Sequence, residues 1–186
     1  MWGIKSERKF RQERLARLID KNPMATDEEL ALSLSVSVGT VRLDRALLGV
    51  PELRERIRRM AREAGDKLKS LSQSEIVGDL IELEPNRLAI SVMRTARDMA
   101  TCASDFISDR YVYAQAGSLA VAVIEAASVM VESMRGKFKK FARVGDVLVA
   151  RAKAGAERDG RRIVSVRTRV GTEEIFVGRF IMEISS

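Results

Sequence analysis

Histidine is absent from this 186-residue chain, and Cys102 is its single cysteine. Ser-His and Cys-His nucleophile pairs are thereby excluded, as are nearly all ordinary zinc sites. Carboxylates are what remains for proton transfer. Asp105, Asp109 and Glu125 flank the most apolar stretch of the chain, residues 111–124, and a positioned carboxylate can activate water without a histidine partner. Each is equally well placed to be a loop carboxylate or a helix cap. The other chemistry on offer is anion binding. The chain has 33 Lys and Arg against 26 Asp and Glu, and residues 1–70 hold 16 of the cations against 11 of the acids. A basic first third on a nearly neutral remainder points one end of the molecule at a polyanion.

The elements that would present those cations come first. Phe10, Leu15, Leu18 and Ile19 recur with a helical period over residues 7–21, which Pro23 ends. Thr26-Asp27-Glu28-Glu29 forms a capping box that opens a helix over 27–34. Ser37 caps a third helix running to about Leu48, and Gly49 suits its C-terminal cap. Two short helices joined by a tight turn, with Ala31 at the crossing and Val36, Val38 and Val41 in the core, have helix-turn-helix spacing. Ser35 stands where glycine often makes the turn.

The second helix of such a unit lies in the DNA major groove. At 100° per residue, Val38, Val41 and Leu48 face inward, while Gly39, Thr40, Leu43 and Ala46 face outward. Gly39 and Ala46 permit close approach, Thr40 can bond a base edge, and Leu43 can pack on a thymine methyl. Arg42 and Arg45 fall on the flanks, where phosphates run. The competing assignment is a small helical bundle with a solvated face.

Residues 51–70 read as an amphipathic linker helix, opened by Pro51 and carrying Leu53, Ile57, Met60 or Ala61, Ala64 and Leu68 on one stripe. Its other side carries arginines, among them Arg54 and Arg56. They form either a solvated face or a salt-dependent contact to the DNA backbone. The apolar stripe is suited to dock on its twin or on the C-terminal domain. Gly65 and the serines of residues 70–74 mark a boundary, so the expected domains are 1–50, 51–70 and 71–186. Residues 1–6 are expected to be mobile, with Trp2 free to pack. No apolar signal-peptide core precedes Lys5 and Arg8, and a lone cysteine suits a reducing compartment, so a cytoplasmic protein is expected.

In the last segment, residues 111–124 are too short and too interrupted by Gly117 and Ser118 to cross a bilayer. No membrane partner is therefore expected. From Ala114 to Ile124 nearly every residue is small or aliphatic, which predicts a helix wrapped on all sides by a curved sheet. Strands are expected over 76–84 and 88–95 before it, then over 128–138, 146–156, 161–170 and 174–184, with a loop over 96–110. Asp159-Gly160 is a hairpin turn. Along 161–170, Val164, Val166, Thr168 and Val170 share one face; Arg161, Ile163, Ser165, Arg167 and Arg169 share the other. Two strands, one buried helix and a four-stranded meander describe the hotdog fold, and Val144-Gly145-Asp146-Val147 resembles a usual turn of that fold. The class is α+β, with an all-α head. The likeness implies side-by-side dimers that bind coenzyme A thioesters near the N-terminal end of the helix, where free amides favour an anionic or carbonyl group.

The joined pieces resemble the FapR-type regulators of fatty-acid and phospholipid biosynthesis. The motifs are TVRLDR (40–45), VPELRERIRR (50–59) and YAQAGSLAVAVI (113–124), in that order and spacing. The resemblance spans nearly the whole chain. It implies a homodimeric repressor of an inverted-repeat, double-stranded operator, released when malonyl-CoA or malonyl-acyl carrier protein binds the hotdog domain. No cofactor is implied beyond that effector, whose site would involve Ser108, Asp109, Arg110, Tyr113 and Gly117. Here the chain departs from the family pattern. Ser108 and Asp109 replace Arg and Gly, and Gly117 replaces Asn. Arg110, two residues on, supplies the cation for the malonyl carboxylate if the loop shifts; otherwise Asp109 repels it and the ligand is another acyl thioester or none. Two competing functions remain. One is a hotdog acyl-CoA thioesterase with a DNA-binding arm, using Asp105, Asp109 or Glu125. The other is a helix-turn-helix protein whose C-terminal domain only dimerises.

Overall fold

The computed structural model describes the backbone of residues 3–185 and the side chains of residues 7–185. Met1 and Trp2 lie outside the described residues, and the expected mobile start is already helical from Gly3. The chain forms two compact units, Met1–Arg59 and Met60–Ser186.

The first unit holds α1 (Gly3–Lys21), α2 (Asp27–Leu34), α3 (Val38–Leu47) and the start of α4 (Leu53–Gly65). The capping box at α2 is formed: Thr26 Oγ1 accepts from the Glu29 amide at 3.2 Å, and Glu29 accepts from the Thr26 amide at 2.9 Å. Ser35 ends α2 in the left-handed conformation, φ 56° and ψ 43°. The serine tolerates the strain that glycine would avoid. Ser37 then caps α3, accepting from the Thr40 amide at 3.1 Å. Leu15, Ile19, Ala25, Leu30, Ala31 and Val41 form the core of this unit.

Two partly buried ion pairs hold α3 against that core. Asp44 accepts from Arg11 Nε at 2.7 Å and from Gln12 at 2.9 Å, both on α1. Arg45 forks onto Asp27 of α2 at 2.7 and 2.9 Å. The Arg45 guanidinium holds the Asp27 carboxyl below its ordinary range. Burial works against ionisation of Asp44, but the bonds from Arg11 and Gln12 outweigh it, and its pKa is also lowered.

The second unit is a six-stranded antiparallel sheet in the order β1-β2-β4-β5-β6-β3. Its strands are β1 (Asp79–Glu84), β2 (Leu88–Arg94), β3 (Ser128–Phe138), β4 (Val147–Arg158), β5 (Arg161–Val170) and β6 (Glu173–Ser185). Between β2 and β3 lies α5 (Asp109–Ala122). The expected loop 96–110 contains a 3-10 turn at Arg97–Met99 and gives way to α5 two residues earlier than anticipated. β2 and β3 lie four strand spacings apart, about 19 Å. A helix of 14 residues rises about 21 Å, so α5 carries the chain from one side of the sheet to the opposite edge. Asn86, Asp159 and Gly160 take the positive φ that their turns require. Val164, Val166 and Thr168 point into the core and Arg167 and Arg169 away from it, as alternation predicts.

The expectation that α5 is wrapped on all sides needs correction. Val112, Gln115, Ala116, Leu119, Ala120 and Ala122 are buried against the sheet. Ala114 is exposed, and Gly117 and Val121 are only partly covered. The sheet covers the buried side of the helix, Ser70 and the Val77 amide bond to the Val121 carbonyl and Ser118 Oγ on another, and the surface at Ala114 and Gly117 is left open. The buried Gln115 was not anticipated; it donates to Ser91 Oγ at 3.2 Å and ties α5 to β2.

Gly136 of β3 and Gly178 of β6 are directly paired. A Cβ at Gly178 would lie 2.8 Å from the Phe180 ring and 2.9 Å from that of Phe176. Gly178→Ala should therefore overpack the core and destabilise the second unit by about 1–3 kcal/mol, read as a lower urea midpoint at unchanged slope. In the first unit the lowered carboxyls set a pH dependence. Stability from Asp27 and Asp44 is complete above the ordinary aspartate pKa of about 3.9 and is lost as pH falls below it. Helical circular dichroism melts from pH 7 to pH 3 should show that loss, with a shallower dependence in Asp27→Asn/Asp44→Asn.

Candidate functional sites

Arginines, small residues and an N-terminal capping serine bring α3 to the surface of the first unit with one stripe free. Gly39 is open, since an added Cβ would meet nothing nearer than Ser37 Oγ at 3.8 Å. Leu43 is 59% exposed and Leu47 53% exposed, with Ala46 between them. Arg42 projects from the edge of this stripe, 3.4 Å from Asp27. Thr40 is half-buried, and its hydroxyl shares a 2.9 Å bond with Ser37 Oγ. Arg54 is exposed on α4.

Two of the anticipated phosphate contacts are corrected by the structure. Arg45 is buried and occupied by Asp27 and by the Val50 carbonyl. It stands seven residues, about two turns, after the inward Val38, and so returns to the core side. Arg56 is also buried: its three nitrogens donate to the carbonyls of Pro23, Pro51 and Ala25 at 2.9, 2.8 and 2.7 Å. Both arginines are structural forks inside the head. Leu48, expected inward, is partly exposed because α3 ends at Leu47. Sequence reading missed Leu47, which the same wheel places one turn beyond Leu43. It also missed Asp44, a carboxylate inside the helix on the core side.

The apolar stripe of the linker helix is covered: Ile57, Ala61 and Ala64 are buried, and Ala64 belongs to the core of the second unit.

In the second unit, Ser108 is the N-cap of α5, with no capping bond from its side chain. Asp109 is exposed and accepts from the Arg110 amide at 2.9 Å. Arg110 stacks over Tyr111, 4.8 Å from the ring centroid, and bonds its hydroxyl at 3.0 Å. Tyr113 packs edge-on to Phe138 and Phe176, at 5.1 and 5.4 Å. A Cβ on Gly117 would touch nothing within 4 Å. Ala114, Gly117 and Val121 thus line an open strip along α5, about 10 Å long from their helical rise, with Ser108–Arg110 at its start. Of the three thioesterase candidates, Asp105 pairs with Arg97 and Glu125 accepts from Lys69 at 2.7 Å, while Asp109 is exposed and carries no ion pair among the described residues. Among the described residues no group of three or more His, Cys, Asp or Glu side chains could hold a metal ion, and no helix is long and apolar enough to cross a membrane.

No protein-family model matches the chain. Several solved structures share the fold of the second unit. The virulence protein Cj0977 of Campylobacter jejuni superimposes with a TM-score of 0.63 at 23% identity, over 69% of this chain and 92% of that one. A hypothetical thioesterase of Streptococcus pneumoniae, solved with coenzyme A, gives 0.53 at 8% identity, over 61% and 90%. These likenesses establish the hotdog fold. Curated relatives extend over both units. Transcription factor FapR of Bacillus subtilis is 39% identical over 182 residues, 96% of this chain and 97% of its own length. Transcription factor FapR of Geobacillus kaustophilus is 42% identical over 181 residues, 96% and 91%. That of Thermoanaerobacter sp. X514 is 38% identical over 180, 97% and 90%. With a projecting third helix, a hotdog unit and this degree of identity along nearly its whole length, the chain belongs to the FapR family of transcription factors.

Proposed function

We propose that the protein is a cytoplasmic, homodimeric repressor of fatty-acid and phospholipid biosynthesis genes, without enzymatic activity, that leaves its operator when an acyl thioester occupies the strip on α5. The observation that carries this reading is identity of 38–42% to proteins named as FapR transcription factors across both units. In this assignment residues 1–50 read DNA, 51–70 connect, and 71–186 bind effector and dimerise.

The geometry supports each half. Gly39, Leu43, Ala46 and Leu47 make a stripe slim enough to enter a major groove, with Thr40 and Arg42 at its margins. Arg54 adds a backbone contact. Arg45 and Arg56 act indirectly, by fixing α3. A dimer is supported by β3, an eleven-residue strand that pairs only with β6 among the described residues. A long open edge is normally covered, and Met130 and Met134 lie exposed along it. A two-fold mate along that edge gives two α3 helices suited to an inverted repeat.

The effector is malonyl-CoA, malonyl-acyl carrier protein or a related thioester. The pantetheine-like arm fits an extended strip floored by Ala114 and Gly117, and the acyl group lies toward Ser108 and Tyr113. Gly117 leaves open the space that a larger residue would fill. Arg110 is the cation nearest in sequence to the vacated family position, and it must turn from Tyr111 to meet a carboxylate. Surface ion pairs occupy Asp105 and Glu125, which leaves Asp109 as the carboxylate on which the thioesterase alternative rests.

Operator binding should weaken on adding malonyl-CoA, and less on adding acetyl-CoA or free CoA, in an anisotropy titration with purified protein. An unchanged complex at saturating thioester refutes the switch. Gly117→Trp should abolish that response and leave affinity for the operator unaltered. On the DNA side, Arg42→Ala should weaken binding to all duplexes and lower the salt slope by about one. Leu43→Ala should instead reduce discrimination by about 1–3 kcal/mol, measured as the ratio of operator to random-sequence affinity.

A further inference from the structure

The face of the sheet turned away from α5 carries an unusual concentration of charge. Side chains alternate along each strand, so one face presents Arg135 and Lys137 of β3, Arg179 of β6, Arg167 and Arg169 of β5, and Arg151 and Lys153 of β4. Within this set Arg151 is the direct cross-strand partner of Arg167, and Arg135 that of Arg179. Like charges placed opposite each other destabilise a sheet. Glu174 relieves only one side of the problem: it pairs with Arg167 at 3.2 Å and with Lys139. Among the described residues no carboxylate lies in ion-pair range of Arg135, Lys137, Arg151, Lys153 or Arg179. A hollow of about 760 Å³ runs between Arg151, Lys153, Arg167 and Arg169, and Arg167 also borders a second one beside Arg135 and Arg179.

We propose that this face is a second polyanion contact that takes the phosphate backbone of double-stranded DNA, independent of the bases. Charge complementarity selects that occupant. A second copy of the chain would set most of the same cations against one another: of the acids on this face, Asp79, Glu82 and Glu84 lie on β1 at its margin, Glu174 is already taken by Arg167 and Lys139, and Glu183 stands opposite Arg161 at the far end of β6. An acidic protein partner would be met through aromatic anchors, whereas the residues between the cations are Ile90, Val149, Ile163, Ser165 and Val177, with Met134 only at the β3 edge. Single-stranded nucleic acid would need rings for base stacking, and this face has none. Five of the seven cations are arginine, whose planar fork matches phosphate oxygens. Facing arginines that cost stability in the free protein gain a shared counter-anion in the complex.

The inference involves no residue of α3, and it stands or falls separately from the groove-reading role of that helix. Binding of the full-length protein to a random-sequence duplex is measured by anisotropy from 50 to 200 mM salt. Arg151→Thr/Arg167→Thr removes one facing pair with a residue that suits strands, and Arg135→Thr/Arg179→Thr removes the other. Each should lower the salt slope by roughly two, so that its deficit in affinity is about ten-fold larger at 50 mM than at 200 mM. Thermal midpoints should hold or rise, which separates lost contact from lost fold. Lys69→Thr/Arg87→Thr removes the same charge from cations that are paired with Glu125 and Glu84, and should leave the slope nearly intact. Equal loss in this control, or an unchanged slope in both sheet variants, overturns the proposal. If the sheet variants fail to bind and Arg42→Ala does not, this contact stands and the role of α3 falls; the opposite pattern removes only this contact.

Discussion

The passage of α5 across the concave side of the sheet is the constraint on which the second unit depends. β2 and β3 occupy positions two and six in the sheet, and this helix spans the gap between them. Close seating requires small residues on its buried side, and Ala116, Ala120 and Ala122 provide them. At the far end, where the sheet must fold over, paired Gly136 and Gly178 vacate space for Phe176 and Phe180. Burying such rings contributes about 1.5–3 kcal/mol each. One side of the helix stays open as a direct result, because a single sheet of six strands runs out before it closes.

A different economy governs the first unit. A unit of this size buries a small share of its surface and is marginal in stability, and charged side chains add to what its apolar core supplies. Asp44 and Arg45 sit side by side on α3 and point inward to α1 and α2 respectively. Arg56 closes the opening turn of α4 over the Pro23–Ala25 carbonyls. These cations look, in composition, like a DNA-binding inventory. Their environment makes them struts, and the exposed stripe they support is made of glycine, alanine and leucine with Arg42 at its border.

Anion recognition therefore divides by burial rather than by residue type. Inside the head, guanidinium groups are saturated by carboxylates and carbonyls. On the outer sheet face they are left facing one another. At the start of α5, Ser108 caps the helix and Arg110 lies stacked on Tyr111. The neighbouring strip at Gly117 is open because no atom lies within 4 Å of where its Cβ would stand.

Much of this architecture was legible in the chain because it is local. The capping box at Thr26–Glu29, the turn at Asp159-Gly160, the alternation of 161–170 and the extent of the strand 128–138 each depend on residues within a few positions of one another. So did the exposed stripe of α3, which helical periodicity alone predicts. Periodicity also holds the signal for Arg45, two turns from Val38, but a charged residue goes to the core side only when a partner such as Asp27 meets it there. Partners are a tertiary matter. Asp27 meets Arg45 across 18 residues and Asp44 meets Arg11 across 33, and no short-range pattern specifies which charges will be drawn inside together. For the same reason the sequence alone implied a helix swathed in sheet, whereas strand count and curvature left one flank of α5 uncovered and set like-charged arginines of neighbouring strands face to face.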